Sequence, residues 1–428
     1  MRAKVSRVAH ALREVLSPGL LNQLGREVKQ SVRLRVVTPS RLISALIGAL
    51  AGGACESIAD ILREFNLQQR TSTRYKAFYN RLARPGFPAL VRSVVSRALG
   101  SLAVRVLQPV AGSPLSVFSD IVIHDGSSFA LKDGLAAIYP GRFTKNGAAA
   151  VELHASFSGF GDEVFAVSLA PDTVPERPFL PEAAQLRGKL LLADRGYCSA
   201  DYFHAVQQHG GHFIIRVTKS FDLWVVARWS GNRRHALRRP RRLSKLIGER
   251  YAGQPCDFEV KFELADINVF RIVVLPGKES HGTRLATNLP VAQFGLHSVG
   301  RIYRFRWQVE LIFKEWKSYA NLRAFGTVNE HIAAGLIWAS LLVAILKRYL
   351  AHAAQYVHAV AISTRRAAMC LAPWLRDLAS TMERQQGDLY MVVADILSYL
   401  AINAPRADTG RDAVTGRLAS GLQIVRDG

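Results

Sequence analysis

The chain has 428 residues, of which 49% are hydrophobic and 21% charged, so it can bury a sizeable core in two or three domains and reads as folded, not disordered. Its 56 Lys and Arg against 33 Asp and Glu leave a formal charge of +23, which points to a polyanionic partner whose phosphates these cations neutralise. Four scattered cysteines, Cys55, Cys198, Cys256 and Cys370, form no CxxC pair, which excludes a zinc knuckle or disulfide framework and fits a reducing cytoplasm.

From Val5 to Leu16 apolar residues recur at helical spacing until Ser17, Pro18 and Gly19 stop them, so the basic amino end reads as a helix and not as a secretory leader. Further helical runs cover Leu42–Leu50, Ile58–Phe65 and Leu90–Leu107. Between them, Glu56–Asn66 and Ser72–Leu82 flank a short polar turn. The second of these carries Arg74, Lys76 and Arg81, with Arg84 just beyond, beside Tyr75 and Tyr79. That is compatible with a helix-turn-helix with a basic reading helix, and equally with two packed helices showing a solvated basic face.

After Pro109, Gly112 and Pro114 the texture turns to β-rich runs, Val117–His124, Ser127–Leu131, Ala149–Phe157, Val164–Leu169 and Lys189–Ala193. A helical segment, Asp201–His209, then leads to a further strand, Phe213–Val217, and the alternation indicates an α/β domain. Asp125 and Asp194 each follow an apolar run and are expected at strand ends, where ligands gather in open α/β sheets. From Ser220 to Glu279 more β character accompanies the basic run Arg233, Arg234, Arg238, Arg239, Arg241, Arg242 and Lys245, which either rides a DNA backbone or forms a solvated loop. Beyond Arg301 the pattern is helical. Its most apolar run, Leu336–Leu346, falls short of the roughly 18–20 residues that span a bilayer, so a buried helix and no membrane anchor is expected. Residues 405–428 read as a loose tail.

The most informative stretch is Tyr303 to Lys317. At about 100° per residue, Tyr303, Arg306, Lys314 and Lys317 lie within roughly 40° of Glu310, beside an apolar stripe of Ile302, Phe305, Val309, Ile312, Phe313 and Trp316. On spacing alone this describes any amphipathic helix with ion pairs. Together with Asp125 and Asp194, however, Glu310 completes three carboxylates, a set suited to two divalent ions roughly 4 Å apart for phosphodiester chemistry. Hard oxygen ligands favour Mg²⁺, with Mn²⁺ as a substitute, over zinc. Arg306 and Lys317 would clamp phosphates. His124 and His154 have no partner at metal-ligand spacing and are read as structural, Trp316 as core, while Trp307 could stack on an unpaired base.

Tyr303, Arg306, Glu310 and Lys317, at intervals of three, four and seven, resemble the Tyr/Arg/Glu/Lys signature helix of bacterial Asp/Asp/Glu transposases of the insertion-sequence-four group. Asp125-Gly126-Ser127 resembles that family's first catalytic Asp motif, and Asp194-Arg195-Gly196-Tyr197 its second; the likeness runs from about Val117 to Leu350. It implies an RNase H-like catalytic core with a β-rich insertion, flanked by helical amino- and carboxyl-terminal regions. It implies Asp125, Asp194 and Glu310 as catalytic metal ligands, with Tyr303, Arg306 and Lys317 on DNA. Arg195, Lys314 and the insertion arginines Arg238, Arg239, Arg241 and Arg242 are further candidates for DNA contact. The implied activity is cut-and-paste transposition by a synaptic homodimer on the terminal inverted repeats of its element and on target DNA, in the bacterial cytoplasm and nucleoid.

The expected division is a helical, DNA-binding region over 1–112, core over 113–219, basic insertion over 220–295, the remaining core with the Glu helix over 296–350, and a helical region and tail, a candidate for dimerisation, over 351–428. Two rivals remain open. One is a DNA-binding derivative that has lost catalysis, which three intact acids disfavour; the other is an RNase H-like nuclease without strand transfer, which the signature helix disfavours.

Overall fold

The computed structural model describes residues 1–31, 33–52, 55–142, 147–218, 220–264, 269–277, 282–322, 325–406 and 421–425. Six helices come first: α1 (Arg2–Leu16), α2 (Pro18–Glu27), α3 (Pro39–Ala51), α4 (Ile58–Gln69), α5 (Tyr75–Leu82) and α6 (Gly86–Ser101). Local chemistry starts them. Pro18 and Pro39 stand in first turns, where a missing N–H costs nothing, and Ser57 with Asp60 forms a reciprocal capping box. α1 buries Val5, Val8, Ala9, Leu12, Val15 and Leu16, the stripe its periodicity predicts. In the candidate helix pair, Phe65 of α4 and Phe78 of α5 pack with ring centroids 5.3 Å apart. Arg74 and Lys76 are exposed, whereas Arg81 turns inward to donate to the Gln30 carbonyl and the Ser31 hydroxyl.

The middle of the chain gives β1 (Leu107–Pro109), β2 (Ile121–Ala130), β3 (Ala150–Ser158), β4 (Glu163–Pro171), β5 (Leu190–Ala193), α7 (Ala200–Gln208), β6 (His212–Arg216), β7 (Trp224–Ser230), β8 (Arg233–Arg242), α8 (Leu243–Arg250), β9 (Cys256–Lys261), β10 (Phe270–Leu275) and β11 (Thr283–Thr287). It ends with α9 (Leu296–Arg304), α10 (Gln308–Tyr319), α11 (Glu330–His358), α12 (Thr364–Cys370), α13 (Ala372–Arg384), α14 (Leu389–Asn403) and β12 (Leu422–Ile424). β12 pairs with β1, and most of the expected tail lies outside the described residues.

Strands β2 to β11 form one sheet in the order β4-β3-β2-β5-β6-β11-β10-β9-β7-β8. β2, β3 and β4 are an antiparallel meander, and β5 and β6 add parallel to β2 on its other side. Three antiparallel strands followed by two parallel ones, in that spatial order, are the RNase H-like arrangement. The inserted strands extend this sheet from β6 onward, with β8 on its edge.

Two expectations need correction here, and one open alternative drops out. Asp125 does not end a strand: β2 continues through it, with Asp125 opposite Ala155 and Gly126 opposite His154 on β3. Its parallel neighbour does stop there, the last pair being His124 with Ala193, so Asp125 lies level with the open end of β5. The basic run is not a loop. It is β8, where Arg234 forks Glu259 at 2.9 and 2.6 Å and Arg242 lies 4.1 Å over the Trp224 ring; charged edge strands also resist pairing with other chains. The signature helix is not continuous either, because a tight 3₁₀ turn, Phe305–Trp307, separates α9 from α10 and shifts the angular projection across it.

α11 is the centre of the helical part. It is long and apolar enough to cross a bilayer, with 29 residues and a mean hydropathy of 1.6 over its most apolar stretch, but 94% of that stretch is buried inside the protein. Gly335 lets the Phe87 ring of α6 lie against its backbone, where any Cβ would collide. α11 also holds α10 in place. Buried Lys347 donates to the carbonyls of Ala51, Tyr319 and Ala368 at 2.7, 2.7 and 2.8 Å, joining the ends of α3 and α10 to α12. Arg348 bridges Asp162 at the β3–β4 turn, 2.9 Å away, and Glu315 on α10, 3.6 Å away.

Candidate active site

Asp125 on β2, Asp194 just after β5 and Glu310 on α10 face a common region, and Arg306 connects it. From the 3₁₀ turn its Nη1 donates to Asp125 Oδ2 and its Nη2 to Glu310 Oε1, both at 2.6 Å. Tyr303, on the last turn of α9, donates its hydroxyl at 3.3 Å to both the Ala193 carbonyl and Asp194 Oδ1. Lys317, two turns beyond Glu310, donates to Ser127 Oγ at 2.9 Å and to the Ser128 carbonyl at 3.0 Å. Each of the four signature residues therefore meets β2, the end of β5, or a partner that does. Lys314 is exposed on α10, and Arg195 is exposed in the turn after Asp194.

Burial pushes the Asp125 carboxyl up to about 6, against the pull of Arg306 and the Gly126 N–H, with Asp194 and Glu310 adding repulsion. At Arg306 burial opposes the charge, but Asp125, Tyr303 and Asp194 together hold the guanidinium above its ordinary value. The asymmetry has a simple cause: Arg306 has several acidic neighbours, while Asp125 has one cation. Desolvation raises the Tyr303 hydroxyl, with Asp194 next, so it stays a neutral donor.

Beneath Asp125 lies a polar layer that sequence reasoning missed. A Cβ on Gly126 would stand 2.5 Å from Glu152 Oε1, 3.1 Å from the Tyr197 hydroxyl and 3.2 Å from His154 Nδ1, which is why glycine follows this aspartate. Likewise Gly196 leaves room for the Glu176 carboxylate. Glu152 is driven up to about 7 by burial, with Glu176 next, and Arg142 partly offsets this from 3.5 Å. The available signal was a Glu inside the apolar run Ala149–Phe157. His124 and His154 are buried, with His124 Nδ1 paired with Ser156 Oγ at 2.9 Å and His154 Nδ1 with the Tyr197 hydroxyl at 3.1 Å. Burial drives them down to about 3 and about 4, respectively, so both rings are neutral at pH 7.

Trp316 is core at 1% exposure, and Trp307 is open at 52%. Among the insertion arginines, Arg241 pairs with Glu249 at 2.6 Å and Arg242 donates to the Asp222 carbonyl at 2.7 Å, while Arg238 and Arg239 are exposed. Among the described residues no disulfide joins Cys55, Cys198, Cys256 or Cys370. Among the described residues no three acidic, His or Cys side chains are gathered tightly enough to grip one ion. Arg306 is the reason at this site, since its guanidinium fills the gap between Asp125 and Glu310. The donor set itself consists of hard carboxylate oxygens, and the cation between two of them is the Arg306 guanidinium.

The strand order and the placing of acids on β2, β5 and a facing helix define an RNase H-like core. Residues 117–346, more than half of the chain, match the transposase DDE domain family, and the chain belongs to that family. Membership implies dependence on a divalent metal. The chain is similar to the putative transposase InsL of insertion sequence element IS186A from Escherichia coli K12, 26% identical over 249 residues. That match covers 52% of this chain and 65% of the relative, so the chain spans less than two thirds of that relative's length. The transposase of insertion sequence element IS231E from Bacillus thuringiensis subsp. finitimus is 20% identical over 375 residues, covering 79% of this chain and 78% of its own. A solved piggyBac transposase synaptic complex with hairpin DNA aligns with a TM-score of 0.48 at 10% identity, covering 94% of this chain and 86% of that one.

Proposed function

We propose that the chain is a DNA transposase that binds the terminal inverted repeats of its insertion sequence, pairs them as a homodimer, cleaves the strands and joins them to target DNA. The observation that carries this reading is the Arg306 bridge, which ties the signature helix to Asp125 and Glu310 while Tyr303 ties it to Asp194. The family match and the transposase relatives support it. Asp125, Asp194 and Glu310 would hold Mg²⁺, or Mn²⁺ in its place; when bound, such ions activate the attacking oxygen and stabilise the leaving one. Arg306 must release both carboxylates for that, which frees its planar fork to grip a phosphate. Tyr303 orients Asp194, and Lys317 offers a second phosphate contact beside Ser127. Arg195, Lys314, Arg238, Arg239, Arg241 and Arg242 extend the cationic surface along DNA. Residues 1–112 would read the repeat and 351–428 contribute to the dimer, in the bacterial cytoplasm on nucleoid DNA.

Nicking of a labelled duplex carrying the terminal repeat, with and without Mg²⁺, tests the proposal against Glu310→Ala. Cutting at the repeat end by the natural protein, and binding without cutting by the variant, is the expected result. Binding without cutting by both would make the chain a DNA-binding derivative of the fold.

A further inference from the structure

Beside the carboxylates, on the far side of Asp194, lies a cavity of about 380 Å³ lined by Arg195, Arg216, Val217, Thr218, Ser220, Gly282 and Arg284. Three arginines and two hydroxyl residues face it, and none of the described lining residues is acidic. The sheet assembles this cluster from distant parts of the chain. β6 is parallel to β5 and ends at Arg216, one residue past the pair Ala193 with Ile215, which puts Arg216 level with Asp194. β11 brings Arg284 in from the other side, its carbonyl accepting the Val217 N–H at 3.0 Å. The neighbouring cleft, which holds Asp194, Tyr303 and Arg306, shares Arg216 with this cavity, so the two are adjacent.

Arg284 makes the cavity more than a basic surface. It is 5% exposed, yet among the described residues its Nε and Nη1 have no hydrogen-bond partner. Burial lowers its proton affinity, and the nearby charge of Asp222 only partly restores it. A buried guanidinium with two unsatisfied donors is costly, and native proteins rarely keep one unless something else satisfies it. The Thr218 and Ser220 hydroxyls, hydrogen-bonded to each other at 2.8 Å, leave one small donor for the same cavity. A tetrahedral oxyanion matches this set, because a guanidinium edge meets two of its oxygens in parallel and a hydroxyl reaches another.

We propose that this cavity is a phosphate-binding subsite, anchored by Arg284, that takes a backbone phosphate of the DNA beyond the one held at Asp125, Asp194 and Glu310. It rests on the DNA-processing reading above and adds a second grip on the same strand. By fixing the strand on the far side of Asp194, it sets which phosphodiester reaches the carboxylates.

The test uses the full-length protein without divalent metal, so that only binding is read. Affinity for a repeat-bearing duplex is measured by fluorescence anisotropy across a salt series, for the natural protein, Arg284→Met and Arg195→Ala. Loss of one phosphate contact reduces the slope of log K against log salt by about one. The expected result for Arg284→Met is that reduction, roughly tenfold weaker binding at moderate salt, and a melting temperature no lower than the natural protein's. An unchanged slope in Arg284→Met overturns the proposal. Arg195→Ala removes an exposed side chain and should lower the slope even if Arg284→Met fails to fold; an unchanged slope there, with Arg284→Met unfolded, also overturns it. In a second arm inorganic phosphate is titrated against the free protein. Stabilisation by phosphate that Arg284→Met abolishes, with an unchanged DNA slope, would assign the cavity to a free anion and overturn the DNA assignment. Nicking by the natural protein is scored separately, so a chain that binds but never cuts refutes the catalytic reading without touching this one.

Discussion

Asp125→Asn should make the protein more stable while removing a proposed metal ligand. Burial holds the folded carboxyl up at about 6 against an ordinary 3.8, and each pH unit between those values is worth about 1.36 kcal/mol. The sign follows from proton counts. Between those two values the folded state keeps a proton that the unfolded state has lost, so stability falls as pH rises from about 4 to about 6 and the full penalty stands above that. At about pH 7.5 the ionised carboxylate therefore costs on the order of 3 kcal/mol. The side chain is 15% exposed, so water screens little of this. Asparagine keeps the shape, removes the charge and leaves Arg306 bonded to Glu310. Urea unfolding in metal-free buffer should show the variant more stable by up to about 3 kcal/mol at about pH 7.5, and equal to the natural protein near pH 4. A variant that is less stable at the higher pH would mean that the Arg306 pair outweighs burial, and the reasoning would be wrong.

Arg306→Gln removes the one cation that restrains Asp125 and should lift its titration further above about 6, moving the acid limb of the nicking profile to higher pH; an unmoved limb contradicts that. Lys347→Met leaves three carbonyls of α3, α10 and α12 without their shared donor, and by the cost of unsatisfied buried groups should lose at least about 3 kcal/mol in denaturant titration. Trp316→Ala should cost about 3–5 kcal/mol as a core truncation. Trp307→Ala, at an exposed position, should change stability by less than about 0.5 kcal/mol but weaken binding to duplexes with an unpaired terminal base; the reverse ranking of the two tryptophans would refute their assignment.

Much of the site was legible because its elements announce themselves locally. Tyr303, Arg306, Glu310 and Lys317 stand at spacings that a helix converts into one face, and the apolar run Leu190–Ala193 could only be a strand with Asp194 at its end. Asp125 was harder. Asp-Gly resembles a turn, and only the nine-residue pairing of β2 with β3 shows the strand running through it. The 3₁₀ turn at Phe305–Trp307 was likewise invisible to a fixed angular period. The run Arg233–Arg242 left a solvated loop open as the alternative to DNA contact, because its charges hid a strand whose order comes from Glu259 and Trp224, residues far from it or outside the run.

By itself, then, the sequence determined the class of chemistry: which acids, which cations and which helix, since these depend on residue type and near-neighbour spacing. Tertiary structure alone decided what those groups do to one another. It placed Arg306 between two carboxylates, Glu152 and His154 beneath Gly126, and Arg284 beside Arg216, contacts between strands and helices whose long-range pairing no local period encodes.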